Sequence, residues 1–264
     1  MSKPSVTIGG IKIFSNDVEV QKQLSAIVRA PKFTNFISKL DKKLLDITSI
    51  RIDAVKWFCN PKTPDPDKLG FIFMEVLATD KRNAMPVPGV VFLRGNAVAV
   101  YLRVVVEGKK YVVLTRQIRA PRGGLLNEIP AGMMDASRCF AGVAMKEIHE
   151  ETGLVAPSMN CLTELGAPII PSAGGCDEEI QLYFWETTVE SEIMEQMKSK
   201  IFGATDENES IQLVFIPVEE YEDHLMIMGD AKAICAHQRA LQMGLLNDSW
   251  ITSRMWCCPG FLNP

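Results

Sequence analysis

The chain of 264 residues has no long uncharged apolar run, which argues against a membrane-spanning segment. Its opening, MSKPSVTIGG, lacks the apolar stretch of a secretory signal and the Arg- and Ser-rich amphipathic start of a transit peptide. The expectation is a cytoplasmic protein, with organellar import left open should the chain be a trimmed form. Basic residues are not in excess: Lys and Arg number 28 against 32 Asp and Glu, a net charge of −4. That excludes general nucleic-acid binding, which wants a basic face. Histidine is scarce, with only His149, His224 and His237, and none stands at zinc spacing from a cysteine. The seven cysteines are odd in number, scattered, and free of any C-x-x-C pair. They read as reduced thiols rather than a disulfide framework. No internal repeat or low-complexity segment is present.

What is there is core material. Hydrophobic residues make up 47% of the chain, enough for one good core and a smaller attached domain. The spacing predicts a front α+β domain over residues 1–85: strands at Ser5–Phe14, Arg51–Cys59 and Gly70–Ala78, and helix over Val18–Leu45 with a break near Pro31. From Pro86 the texture turns β-rich. Val90–Leu93, Ala97–Val106 and Tyr111–Gln117 read as strands, with a hairpin turn at residues 107–110. A long helix follows, then strands at Cys161–Ala167, Ile180–Thr188 and Ile211–Pro217. A polar helix spans Glu190–Lys200, and a closing helix spans Asp230–Gly244. This second domain takes residues 86–245, and residues 246–264 form a tail, either docking or disordered.

Residues 132–154, GMMDASRCFAGVAMKEIHEETGL, concentrate the chemistry. At about 100° per residue, Glu147, Glu150 and Glu151 share one narrow arc of a helix. Ala141, Ala144, Met145 and Ile148 form the neighbouring apolar stripe, and Gly153 is a helix-ending residue. Three carboxylates in the last turn meet the negative end of the helix dipole, each at a cost of roughly 0.3–1 kcal/mol, and repel one another. A hard divalent cation with oxygen ligands is the simplest remedy.

Here the chain resembles the Nudix hydrolases. Their pattern is G, five residues, E, seven residues, then R-E-U-x-E-E-x-G-U, with U a bulky aliphatic. Gly132, Glu147, Ile148, Glu150, Glu151, Gly153 and Leu154 match with the spacing intact. Arg138 stands where the family has Glu, and Lys146 where it has Arg. Within the superfamily, residues 86–245 are most similar to the ADP-ribose and nucleotide-sugar diphosphatase branch, especially plant-type ADP-sugar diphosphatases. The residues behind this are Gln117-Ile118-Arg119, the run from Asn127 to Asp135, the run from Ser172 to Glu179, and Asp230-Ala231-Lys232-Ala233.

The resemblance implies an α+β fold: a Nudix α/β/α sandwich with a mixed sheet, plus the smaller front domain. It implies magnesium, with manganese as an alternative, held by Glu147 and Glu151, with Glu150 sharing it and the Ala131 carbonyl completing the site. It implies a general base on the loop before a late strand, Glu209 with Glu207 as runner-up. Arg119 fits a bidentate phosphate clamp, with Arg116 and Arg122 as alternatives. Glu128 sits beside the metals or braces them. Glu178 adds to the ion site or pairs with a basic residue. Trp57 and Phe58 are candidates to stack on a base, although strand aromatics more often belong to a core. In relatives of this branch the front unit pairs two subunits, which implies a homodimer. The implied reaction is Mg-dependent cleavage of ADP-sugars or ADP-ribose to AMP and a sugar phosphate. The alternatives are a UDP-sugar diphosphatase and a catalytically weak Nudix-like nucleotide-binding module; a coenzyme A diphosphatase is disfavoured.

Overall fold

The structure, a computed structural model, describes residues 4–134, 139–203 and 209–246. Arg138, Glu207 and the tail from Asn247 therefore lie outside the described residues. The described residues divide into two compact units, one running to Asn96 and taking in Ile170–Glu179, the other formed by the remaining described residues.

In the first unit, strands β1 (Ser5–Ile8), β2 (Ile11–Ser15), β3 (Leu45–Trp57), β4 (Leu69–Asp80) and β5 (Val90–Leu93) form one sheet in that order. Helix α1 (Val18–Ile27) starts where Asp17 accepts hydrogen bonds from the Glu19 and Val20 amides, at 2.8 and 2.9 Å. Helix α2 (Pro31–Lys39) begins on its proline, which ends the sequence-predicted helical stretch and starts the next. Alternation in β3 and β4 turns Ile50, Ile52, Ile72, Met74 and Val76 inward, against Val20, Leu24, Ile27 and Phe33. Residues 90–93, grouped by sequence with the second domain, instead pair with β4 as the edge strand β5. A short apolar run carries no information about which sheet will take it.

The second unit holds β6 (Ala97–Val106), β7 (Lys109–Arg119), β8 (Gly124–Glu128), β9 (Ala131–Met133), β10 (Thr163–Glu164), β11 (Ile180–Thr188) and β12 (Gln212–Pro217). The sheet order is β10-β11-β6-β7-β12, with β8 on β7 and β9 on β6. β6 and β11 run parallel and the other pairs antiparallel, so the sheet is mixed. The hairpin from β6 to β7 turns on Glu107 and Gly108, both at positive φ, as a two-residue type I′ turn requires.

Both faces of β6 are covered. Val98, Val100, Leu102 and Val104 look one way, toward Val143, Ala144 and Ile148 of helix α3 (Phe140–Thr152). Ala97, Ala99 and Tyr101 look the other way, toward Ala233, Ala236 and Ala240 of helix α6 (Ala231–Gln242). A strand buried on both sides reads as a continuous apolar run rather than an alternation, which is how AVAVYLRVVV reads. Helices α4 (Ser191–Ser199) and α5 (Tyr221–Met228) complete this unit; the sequence reading had no helix at α5. The architecture is α+β, a mixed sheet between helices with a second mixed sheet in the first unit. Among the described residues no helix is long and apolar enough to cross a membrane.

Candidate active site

Helix α3 is amphipathic in an unusual way: one of its buried positions is acidic. Val143, Ala144 and Ile148 face the sheet, and Glu151 continues the same face with only 2% of its surface exposed. The helix ends at Gly153, whose φ of 76° lets its N–H bond the His149 carbonyl at 2.9 Å. Glu151 is thereby held one residue short of a rigid stop. Its Oε2 accepts a hydrogen bond from the Ala131 N–H at 3.0 Å, so β9 and the end of α3 are joined by this carboxylate.

Gly132, next along β9, has a specific reason to be glycine. A Cβ there would fall on the Glu147 carboxyl group, so the missing side chain is the space Glu147 occupies. Glu150 is partly exposed and pairs with Lys146 one turn earlier, Nζ to Oε2 at 3.2 Å. Lys146 thus relieves part of the carboxylate crowding on this helix.

The loop before β12 is brought to the same place. The Gly203 N–H donates to the Glu150 carbonyl at 3.1 Å, and Phe202 and Ile211 exchange backbone hydrogen bonds. Glu209 lies within that closure, and its charge acts on Glu151 and on Arg119. Burial pushes the Glu151 carboxyl well above the ordinary glutamate value; the charge of Glu147 adds to this, and those of Glu209 and Glu128 add further, against the Ala131 hydrogen bond.

Opposite the acids stands one arginine on a tether. Arg119 ends β7, and its Nε donates to Glu128 Oε1 at 2.7 Å. Lys232 donates to Glu128 Oε2 at 3.1 Å and to Asp230 at 2.8 Å. Asp230 caps α6 through the Lys232 N–H and accepts the Ile129 N–H with its other oxygen at 3.2 Å. Burial would raise the Glu128 carboxyl, but Lys232 and then Arg119 outweigh it and hold it below the usual range. Sequence reading singled out Asp230 to Ala233 without giving Lys232 a role. The signal was an aspartate at a helix start followed by a lysine on a face otherwise lined with alanines.

The structure brings Ala131, Glu147, Glu150, Glu151, Glu209, Arg119 and Glu128 into one unit. The contact Ala131 makes with the acids is through its N–H. Trp57 and Glu178 belong to the other unit. Trp57 is 5% exposed, and its indole N–H donates to Gln23 at 2.6 Å. It is a core residue there, which corrects its expected role as a stacking platform. Phe58 beside it is exposed and meets the Phe71 ring edge-on at 5.5 Å. Glu178 pairs with Arg94 at 3.2 Å, the second of the two roles open to it. Arg116, three residues before Arg119 on β7, donates to Asn127 at 2.8 Å.

A divalent cation fits this donor set. All the side chains are carboxylates, one of them buried under the charge of three others, and Gly132 leaves a cradle that a Cβ would fill. Among the described residues, no three His, Cys, Asp or Glu side chains are already gathered round a single point.

The NUDIX domain family model matches residues 94–236, more than half the chain. The chain is 38% identical over 161 residues to "Nudix hydrolase 14, chloroplastic" of Arabidopsis thaliana, covering 58% of this chain and 52% of that protein. It is 29% identical over 125 residues to the "ADP-ribose pyrophosphatase" of Bacillus subtilis strain 168, covering 47% of this chain and 60% of that one. It thus spans only about half of the curated relatives it matches. A solved "ADP compounds hydrolase" superposes with a TM-score of 0.49 and 16% identity, over 76% of this chain and 96% of that one. With the family model covering the carboxylate helix, the β9 glycine and the Glu209 loop together, the chain belongs to the Nudix family.

Proposed function

We propose that the protein hydrolyses the diphosphate of ADP-ribose or an ADP-sugar, giving AMP and a sugar phosphate. The observation that carries this is Glu151, a buried carboxylate pressed by Glu147, Glu209 and Glu128 and facing the cationic Arg119. Such repulsion is wasteful in a stable fold and useful where a cation and an anionic substrate are to be held together. Glu147, Glu150, Glu151 and the Ala131 backbone would hold magnesium, or manganese. When bound, that ion neutralises phosphate charge and lowers the pKa of a coordinated water.

The chain's own residues supply the rest. Arg119 offers a planar fork to the non-bridging phosphate oxygens. Glu209 takes the proton of the attacking water as its oxygen bonds to phosphorus. The bridging P–O bond then breaks, and the departing oxygen stays on the second phosphate. Glu128 braces Arg119. The "ADP-ribose pyrophosphatase" name of the Bacillus relative supports the ADP-ribose choice over a UDP-sugar. A homodimer paired through the first unit is part of the same proposal. The chloroplastic name of the Arabidopsis relative supports an organelle as readily as the cytosol for its location.

The test is a hydrolysis panel of ADP-ribose, ADP-glucose, UDP-glucose and coenzyme A, with and without magnesium. Fastest magnesium-dependent release of AMP from an ADP compound is expected. Preference for UDP-glucose would move the substrate class. Binding of ADP-ribose without turnover would make the protein a nucleotide-binding module.

A further inference from the structure

Arg116 and Arg122 are two arginines that the proposed chemistry leaves unused, and strand alternation sets Arg116 apart from it. Arg116 is the cross-strand partner of Asn127, and Ile118 that of Leu125, so these four share one face of the β7–β8 pair. Thr115, Gln117 and Arg119 lie on the other face. Arg122 closes the short 3-10 turn that links the two strands. Arg116, Arg122, Leu125 and Asn127 line a cleft of about 390 Å³ together with Ile227 and Met228 of α5. Small-molecule sites run from roughly 300 to 1,000 Å³.

The walls of this cleft are of two kinds. Leu125 and Ile227 are 67% and 83% exposed, so apolar surface stands open to solvent. Beside it, Arg116 donates through Nε to a neutral partner, Asn127 Oδ1, at 2.8 Å. Neither Arg116 nor Arg122 has an ion pair among the described residues. None of the lining residues is acidic, in a chain whose net charge is −4. His224 also lines the cleft. Its Nδ1 lies 3.0 Å from the Glu220 carbonyl, which can only accept, so Nδ1 carries the hydrogen and Nε2 is left over. Two uncompensated guanidinium charges match one dianion, and a phosphate monoester carries about −1.5 to −2 at neutral pH. A second copy of the chain fits less well. Pairing this face with itself would set arginines against arginines.

We propose that this cleft is a second ligand site for a phosphate monoester carried on an apolar or aromatic body. Arg116 and Arg122 take the phosphate, and Leu125, Ile227 and Met228 cover the body. The site does not depend on the diphosphate reading, because none of its residues belongs to the carboxylate cluster or to the Arg119 clamp.

The probe is 1-naphthyl phosphate, titrated into the full chain with magnesium and read by NMR at the methyl groups of Leu125, Ile227 and Met228. These methyls should move with the probe. Arg122→Gln, in an exposed turn that tolerates the change, should weaken that binding at least about tenfold. Arg119→Gln, on the opposite face, should bind like the parent. Inorganic phosphate and 1-naphthol should each bind at least about tenfold more weakly than the ester, since each lacks one half of the match. Unmoved methyls at millimolar probe overturn the proposal. So does parent-like binding in Arg122→Gln, loss of binding in Arg119→Gln, or a phosphate or naphthol arm as tight as the ester. A change in sedimentation of the ligand-free protein on Ile227→Asp also overturns it, because the face is then covered by a second copy.

Discussion

Glu151 is the residue on which the proposed chemistry turns, and its cost is visible before any ligand binds. Its carboxyl is raised well above the ordinary 4.5 by burial and by the Glu147 charge. Between the ordinary value and the raised one, the folded protein keeps a proton that the unfolded chain has lost. Stability of the metal-free protein therefore falls as pH rises through that window, and levels off above the raised value. Thermal melts in chelator from about pH 5 to about pH 8 should show this decline, and Glu151→Gln should flatten it. Equal pH dependence in both proteins would remove Glu151 from the account. Glu209 makes a different prediction. A base acts in the transition state, so Glu209→Gln should lower kcat by about 10²–10⁴-fold with little change in KM. A shift confined to KM would make Glu209 a binding residue.

At the scale of elements, the β9 strand and the α3 helix are joined by the Glu151 carboxylate and shaped by two glycines of opposite kinds. Gly132 supplies space: the nearest atoms a methyl there meets are those at the mobile end of Glu147, so Gly132→Ala should melt close to the parent. It should nevertheless lose most turnover, because the Glu147 carboxylate is driven from its cradle. Melting curves and magnesium-dependent rates on the same preparation separate the two effects. Gly153 supplies conformation, with φ at 76° and an added Cβ only 2.9 Å from the Phe202 ring. Gly153→Ala should cost about 1–2 kcal/mol from the left-handed backbone alone, read from denaturant unfolding. A neutral result there would mean that the helix end relaxes freely.

The same elements show what a sequence displays and what it withholds. Periodicity exposed α3 because that signal is local; the spacing from Gly132 to Glu147 exposed the family pattern, but not the strand β9 at Ala131–Met133. The loop before β12 was legible for the same reason, since the strand at Ile211–Pro217 reads locally; the choice of Glu209 on it as the base came from the resemblance. Long-range pairing was hidden: nothing in residues 90–93 says that they will join β4, and nothing in Lys232 says that it will reach Glu128, 104 positions away. Trp57 could be weighed as core or platform from its strand position, but only its contact with Gln23 decides for the core.

For the molecule as a whole, the proposed chemistry belongs to the second unit. Its sheet is buried on both faces, and the residues that would hold an ion, clamp a phosphate and move a proton come from α3, from the ends of β7 and β8, from the start of β9 and from the loop before β12. That arrangement makes one measurement decisive. Phosphorus NMR of ADP-ribose incubated with the protein and magnesium in ¹⁸O-enriched water reads bond cleavage, products and site of water attack together. The account predicts AMP and ribose phosphate in equal amounts, ¹⁸O in one of them, with no products from Glu151→Gln on the same timescale. Equal turnover by Glu151→Gln, or parent turnover unaffected by chelator, would contradict it.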